Sequence, residues 1–331
     1  MRRAVAMLVG AVALRVPAMR RAVALVVGAL ALASVGACRR GAEPARWSEP
    51  LVLGGRTISV ASLEHGRAVY SGYCRPCHGD QGDGKGTAAG GLQPPPRDLR
   101  LGVYKFAAVA TGQLPTDADF VRIVRGGLHG TAMQAWDVPV AELDDLIQYV
   151  KAFAPRWRTE TAGDPIAATP DPWLTREPAA VDRGKRVYHG LAQCAVACHP
   201  AYATKEDIRA YAKELTSMDV RDFRAGYYDP VAKDSDYGLK ILPTDFTFSA
   251  LRAGDAVGDI YRTIASGIGG TAMPTWKNVL PEADLWALAH YVRSLVELRG
   301  KPEATKLRAH LIDLAWWTPP PIPDAGADAG R

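Results

Sequence analysis

Three apolar patterns stand out along this chain. From Ala22 to Ala33 the residues are almost wholly apolar, and they follow the basic pair Arg20-Arg21. Further on, apolar residues recur at helical spacing in Glu142-Leu143-Asp144-Asp145-Leu146-Ile147-Gln148-Tyr149-Val150. They do so again in Asp284-Leu285-Trp286-Ala287-Leu288-Ala289-His290-Tyr291-Val292, which predicts two helices. A charge-rich helical stretch runs from Lys205 to Leu215. Prolines punctuate the rest. Pro165, Pro170, Pro172 and Pro178 stand among Thr, Ala and Asp, a composition that gives a semi-extended spacer rather than a helix. The end of the chain, with Pro319-Pro320-Pro321 and then Asp324-Ala325-Gly326-Ala327-Asp328, has the composition of a disordered tail. Past residue 38 no apolar run approaches the ~20 residues needed to span a bilayer.

The two periodic segments close two copies of a divergent repeat. Gly66-Arg67-Ala68-Val69-Tyr70 matches Gly184-Lys185-Arg186-Val187-Tyr188, and Gly130-Thr131-Ala132-Met133 matches Gly270-Thr271-Ala272-Met273. Arg122 and Arg262 each precede the motif methionine by eleven residues, and Trp136 and Trp276 each follow it by three. At 331 residues the chain has the length of about two domains. The expected layout is a leader over 1–38, a tether over 39–60, a first domain over 61–155 and a Pro-rich linker over 156–180. A second domain follows over 181–300, with an insert at about 200–240 that the first lacks, and then a tail over 301–331.

Charge changes little in this picture. The net charge of +5 invites a nucleic-acid or anionic-membrane reading, but Arg2, Arg3, Arg15, Arg20 and Arg21 lie in the acid-free leader. Without those five, 35 basic side chains face 35 acidic ones, so no nucleic-acid partner is indicated. The basic pair, the apolar run and the small residues leading to Cys38 form a secretory signal. Val35-Gly36-Ala37-Cys38 resembles a bacterial lipobox, in which Cys38 would carry a lipid anchor; a plain signal peptide or an uncleaved anchor are the alternatives. Met1-Arg2-Arg3-Ala4-Val5-Ala6 recurs at Met19-Arg20-Arg21-Ala22-Val23-Ala24, so either Met19 is the true start or the leader is duplicated in tandem. The expected location is the periplasm, with attachment to a membrane through lipid.

The remaining four cysteines carry the chemistry. Cys74-Arg75-Pro76-Cys77-His78 is a covalent-haem signature: two thiols for the vinyl groups, and a histidine placed to meet the iron. A zinc half-site or a redox dithiol would use the same two cysteines, but no second Cys-x-x-Cys pair and no thioredoxin-like pattern accompanies them. The second signature, Cys194-Ala195-Val196-Ala197-Cys198-His199, has one residue more between its cysteines. That residue must bulge if both sulfurs are to reach their carbons, so single-thioether attachment, or a copy that has lost its haem, stays open. Met133 and Met273 are the candidate ligands opposite His78 and His199, since a methionine thioether completes six-coordinate iron and raises its potential. Met218 is expected to be a packing residue and His129 a solvent-facing loop residue. His65, His189, His290 and His310 are expected on surfaces or helices, and the two tryptophans against the methionine loops.

Each half resembles a class I cytochrome c, and the whole resembles a membrane-attached di-haem cytochrome c. The resemblance covers most of 61–155 in the first half, and 181–199 with 241–298 in the second. It implies an all-α fold of two tandem domains and two covalently bound haem c groups. It also implies crossed terminal helices that meet at Gly66 with Tyr149 and at Gly184 with Tyr291. A loop proline would accept a hydrogen bond from each proximal imidazole: Pro94, Pro95 or Pro96 for His78, and Pro243 for His199. The function implied is single-electron transfer between respiratory redox-partner proteins, with no small-molecule substrate. A haem subunit of a larger oxidase or periplasmic dehydrogenase is the alternative. A di-haem peroxidase, which would need an open iron position, is disfavoured by two intact methionine motifs.

Overall fold

The computed structural model describes residues 46–316; the leader with Cys38 and the Pro-rich end of the tail lie outside the described residues. The first copy holds β1 (Leu51–Leu53), β2 (Arg56–Ile58), α1 (Val60–Tyr73), α2 (Arg75–His78), α3 (Asp117–Gly126) and α4 (Val140–Lys151). The second holds α5 (Glu177–Arg186), α6 (Cys194–Ala197), α7 (Lys205–Thr216), α8 (Val257–Ser266) and α9 (Glu282–Val296), and α10 (Pro302–Trp316) follows. The only sheet among the described residues is the antiparallel pair β1–β2, with Leu51 opposite Ile58 and Leu53 opposite Arg56, so the fold is all-α in class. No described helix is long and apolar enough to cross a membrane.

Crossed helices organise each copy. α1 begins where the Ser59 hydroxyl accepts from the Ser62 N–H at 3.1 Å, a side-chain cap for an otherwise unpaired donor. It packs on α4 at Gly66, where a Cβ would lie 2.1 Å from the Asp145 carbonyl oxygen and 2.8 Å from Tyr149 Cβ. α5 packs on α9 in the same way at Gly184, where a Cβ would lie 2.0 Å from the Ala287 oxygen and 2.6 Å from Tyr291 Cβ. Only glycine allows backbones this close. Both predicted glycine–tyrosine crossings are present, and both tyrosines are buried.

The structure adds core to segments expected to lie outside the domains. Leu53 and Ile58 of the expected tether are buried with Leu63, Leu114 and Trp157, so the hairpin belongs to the first copy's core. After a 3-10 turn, Pro155–Arg158, the linker is non-helical up to α5 but is not a free spacer. The Trp173 indole N–H donates to the Ala283 carbonyl at 2.8 Å, Thr169 donates to Glu282 at 2.9 Å, and Asp171 lies 2.8 Å from His290 Nε2. The tail opens with α10, whose Leu311 is buried and whose Arg308 pairs with Asp229. The stretch predicted from Lys205 to Leu215 is α7.

One single-residue expectation, that for Met218, needs correction, while His189 and His290 lie on helical segments as expected but are buried there. Met218 is 52% exposed and packs in no core. His290 is buried on α9 against Asp171. His189 is buried in a π-helical turn, Val187–Leu191, where its Nδ1–H donates to the Lys185 carbonyl at 2.8 Å while Nε2 accepts from the Tyr202 N–H at 3.0 Å. Helical period alone does not reveal that neighbouring segments close over both sides of these helices.

The two copies meet along a seam inside one compact unit that runs from Trp47 onward. The Thr111 N–H donates to Thr275 Oγ1 at 2.8 Å and the Thr111 hydroxyl to the Ser266 carbonyl at 3.0 Å. The Gly269 N–H donates to the Lys105 carbonyl at 3.1 Å, and the His129 N–H to the Arg252 carbonyl at 2.9 Å. His129 is thus an exposed loop residue, as expected.

Two outcomes follow from these contacts. Gly184→Ala forces α5 off α9 and is expected to cost about 1–3 kcal/mol or more, read as a lowered midpoint in thermal unfolding. Burial holds His189 at about 4, below its ordinary 6.5. The unfolded chain therefore takes up a proton between these values that the native state refuses, and stability falls as pH drops from 6.5 toward 4. His189→Leu should remove this acid sensitivity and, by stranding the Tyr202 N–H, cost about 1–3 kcal/mol at neutral pH. Denaturant titrations at pH 7.5 and 5 check both effects.

Candidate covalent-haem sites

α1 runs directly into the first signature. The Cys74 N–H donates to the Tyr70 carbonyl at 2.8 Å and the His78 N–H to the Cys74 carbonyl at 2.9 Å, so Cys74, Cys77 and His78 share one tight turn. The Tyr70 hydroxyl, buried in the core, donates to the Gly79 carbonyl at 2.8 Å and pins the residue after the histidine.

The second copy reaches the same end with a longer segment. Eleven residues rather than eight separate the repeat tyrosine, Tyr188, from His199. Part of the excess widens the chain into the π-helical turn, and Gln193 then takes a left-handed conformation, φ 52°, just before Cys194. The rest is taken up within the signature itself. The His199 N–H reaches back five residues to the Cys194 carbonyl at 3.0 Å, where His78 reaches back four. The Tyr188 hydroxyl still finds the carbonyl after the histidine, that of Pro200, at 2.9 Å. The extra residue therefore bulges as a wider turn and leaves the histidine anchored as in the first copy.

Both imidazoles are oriented by a backbone carbonyl, one residue away from the expected acceptors. His78 Nδ1 lies 3.0 Å from the Arg97 oxygen and His199 Nδ1 3.0 Å from the Thr244 oxygen. The acceptors are the residues that follow Pro96 and Pro243, not those prolines themselves or Pro94 and Pro95. A carbonyl only accepts, so each Nδ1 carries the proton and each Nε2 keeps the lone pair a metal requires. Burial holds both histidines below their ordinary pKa, which favours this neutral form. Burial also pushes the Cys74 and Cys194 thiols up to about 12.

The Gly-Thr-Ala-Met phrase is a self-locking loop. In the first copy the Thr131 hydroxyl donates to the Leu128 carbonyl at 2.8 Å and accepts from the Met133 N–H at 3.1 Å, while the Leu128 N–H donates to the Met133 carbonyl at 2.8 Å. Thr271, Ile268 and Met273 repeat the pattern at 2.7, 3.2 and 3.2 Å. The Trp136 and Trp276 N–H groups close each loop onto the preceding helix, on Val124 and Ala265. Trp136 is 38% exposed and meets Tyr73 edge-on, with ring centroids 5.8 Å apart. The locking threonines were not singled out in the sequence, although their recurrence two residues before each methionine was the available signal.

All eight candidate ligands, Cys74, Cys77, His78 and Met133 with Cys194, Cys198, His199 and Met273, line one continuous cavity of about 1570 Å³. That exceeds the roughly 300–1,000 Å³ usual for a single small-molecule site. Among the described residues no three His, Cys, Asp or Glu side chains converge as a zinc site would require. Paired thiols, a neutral imidazole and a thioether on one wall-to-wall space fit haem c in each copy. The haem would supply a one-electron iron couple; the chain holds it, orients the imidazole and covers its faces.

Such sites on a helical frame define the class: c-type haem proteins that move electrons. The family described as cytochrome c oxidase, cbb3-type, subunit III matches residues 61–150 and 179–292, more than half of the chain, and the chain belongs to it. A chain of the reducing HAO-like protein complex of Kuenenia stuttgartiensis is similar at 29% identity and a TM-score of 0.57, over 70% of this chain and 96% of that one. No match is found among curated proteins. This protein is accordingly an electron-transfer haem protein with covalently bound haem c.

The loop lock is open to test. Thr271→Val removes two hydrogen bonds of about 1 kcal/mol each, and is expected to weaken sulfur ligation without loss of covalent haem. The sulfur-to-iron charge-transfer absorption of the oxidised protein should diminish while the mass stays that of the haem-loaded chain.

Proposed function

We propose that this chain is a di-haem c-type cytochrome that carries single electrons between redox-partner proteins at the periplasmic face of a membrane. The carrying observation is that both copies, including the one with the longer signature, present the same complete set of two cysteines, a carbonyl-oriented histidine and a locked methionine. His78 with Met133, and His199 with Met273, would hold the haem irons and would leave no ligand position for a substrate such as peroxide, and the haem would supply a one-electron couple. The anchor is Cys38, and the leader sequence supports its lipidation.

A second reading, a haem subunit built into a larger oxidoreductase complex, is favoured by one specific observation. The matching family is described as an oxidase subunit, and the similar solved chain comes from a complex. The electron chemistry is the same in both readings. They differ in whether the protein leaves its partner, and co-purification from detergent-solubilised membranes separates them.

The intact mass of the mature protein tests the proposal, with two haems and a lipidated N-terminal Cys38 as the expected result. A mass with a single haem would refute the di-haem assignment. Redox titration should give two one-electron components with positive midpoints, as His/Met ligation implies; a strongly negative component would contradict methionine ligation at that iron.

A further inference from the structure

The seam carries a group of cations that the ligand sets leave out. Arg97 and Lys105 come from the first copy and Arg252 from the second, and all three line the cavity that both ligand sets share. Arg100, Arg122, Arg183, Arg262 and Arg308 each hold a carboxylate, but Arg97, Lys105 and Arg252 have none within ion-pair distance among the described residues. Arg97 and Lys105 share an aromatic neighbour. The Arg97 guanidinium lies 3.3 Å from the Tyr237 ring centroid and the Lys105 ammonium 5.3 Å from it. Tyr237 belongs to the second copy's insert, and its hydroxyl donates to the Gly269 carbonyl at 2.7 Å.

Lys105 and Arg97 stand under strain from burial and from neighbouring positive charge. Burial, then Arg97 and Arg252, pull Lys105 down to about 8, and no acid acts on it in the opposite sense. Burial likewise lowers Arg97. Gathering like charges away from water is costly unless a counter-charge meets them. The fold nevertheless brings them together, since the Lys105 carbonyl is held by the Gly269 N–H, the Arg252 carbonyl by the His129 N–H, and the Arg97 carbonyl by His78. The backbones that form the seam and orient an imidazole thus also fix where the charges stand.

We propose that Arg97, Lys105 and Arg252 form one anion site, shared by the two haem pockets, that receives haem propionate carboxylates from both copies. This rests on the di-haem reading and adds a named docking point for the carboxylate edges. Guanidinium groups offer forked donors to a carboxylate and the ammonium a point charge. Positive charge in a low-dielectric cavity also favours the ferrous over the ferric state, so the cluster raises both midpoints and lets charge at one pocket be felt at the other.

The test uses the full mature protein with Lys105→Gln and, separately, Arg252→Gln, each followed by mass and by spectroelectrochemical titration. Although each substitution lies on one copy, both one-electron components are expected to fall. The ferrous-to-ferric ratio at fixed potential should drop by about tenfold, or ~59 mV for a one-electron couple, and Lys105→Arg should restore it. Should one variant fail to fold, the other makes the same demand from the opposite copy. A shift confined to one component, or unmoved midpoints with both haems attached, overturns the shared site. Fewer than two covalent haems in the unsubstituted protein would instead overturn the di-haem reading beneath it.

Discussion

Backbone against backbone at Gly66 and Gly184 is the contact on which the rest of each copy depends. Without a Cβ, α1 and α5 settle onto the carbonyls of Asp145 and Ala287, closer than any other residue allows. That approach fixes the line along which each helix leaves the crossing, and hence where its haem signature begins. Tyr70 and Tyr188 stand four residues beyond the glycines, and their hydroxyls tie down the carbonyl just past each histidine. With the histidine's backbone held there and its Nδ1 held by Arg97 or Thr244, the imidazole has little freedom left. A ligand prepared in this way does not have to be ordered when the metal arrives, which is how outlying hydrogen bonds tune a metal site.

The second copy shows what this frame tolerates. Three more residues lie between tyrosine and histidine, yet both ends of the segment keep their partners. The excess goes into wider turns, a recurrent way for helices to absorb insertions. The π-helical turn does not stand alone. α7 packs on it closely enough that a Cβ at Gly190 would lie 2.6 Å from the Tyr211 backbone, and His189 joins it to Tyr202. The insert between residues 200 and 240 thus has a structural partner in the very turn that the longer signature requires, and it also sends Tyr237 to the seam.

The seam makes two repeats into one object. Each methionine loop is braced by the other copy: Thr111 meets the carbonyls of Ser266 and Met273, and His129 and Gly130 meet Arg252 and Ala250. The two ligand sets therefore open onto one cavity rather than two separate clefts. For a protein of this family, whose chemistry is the movement of electrons, the consequence is that the relation between its two candidate ligand sets is set by packed backbone and not by a free linker.

The sequence by itself determined what is local. Thiols, imidazoles and thioethers must be present as particular side chains at particular spacings, so Cys74, Cys77, His78, Met133 and their counterparts could be singled out as candidates from the sequence alone. The period of α4, α7 and α9 and the repeat that locates Gly66 and Gly184 were equally legible, because they depend on neighbours a few residues away. The tertiary structure alone decided the rest. Backbone acceptors such as Arg97 and Thr244 leave no trace in side-chain identity, because every residue has a carbonyl. Burial of His189 and His290, exposure of Met218, and docking of the hairpin and linker depend on which distant segments close over them. The seam joins residues as far apart as Thr111 and Thr275. A contact across that separation arises from how two finished surfaces fit, and no local pattern of apolar and polar positions encodes it.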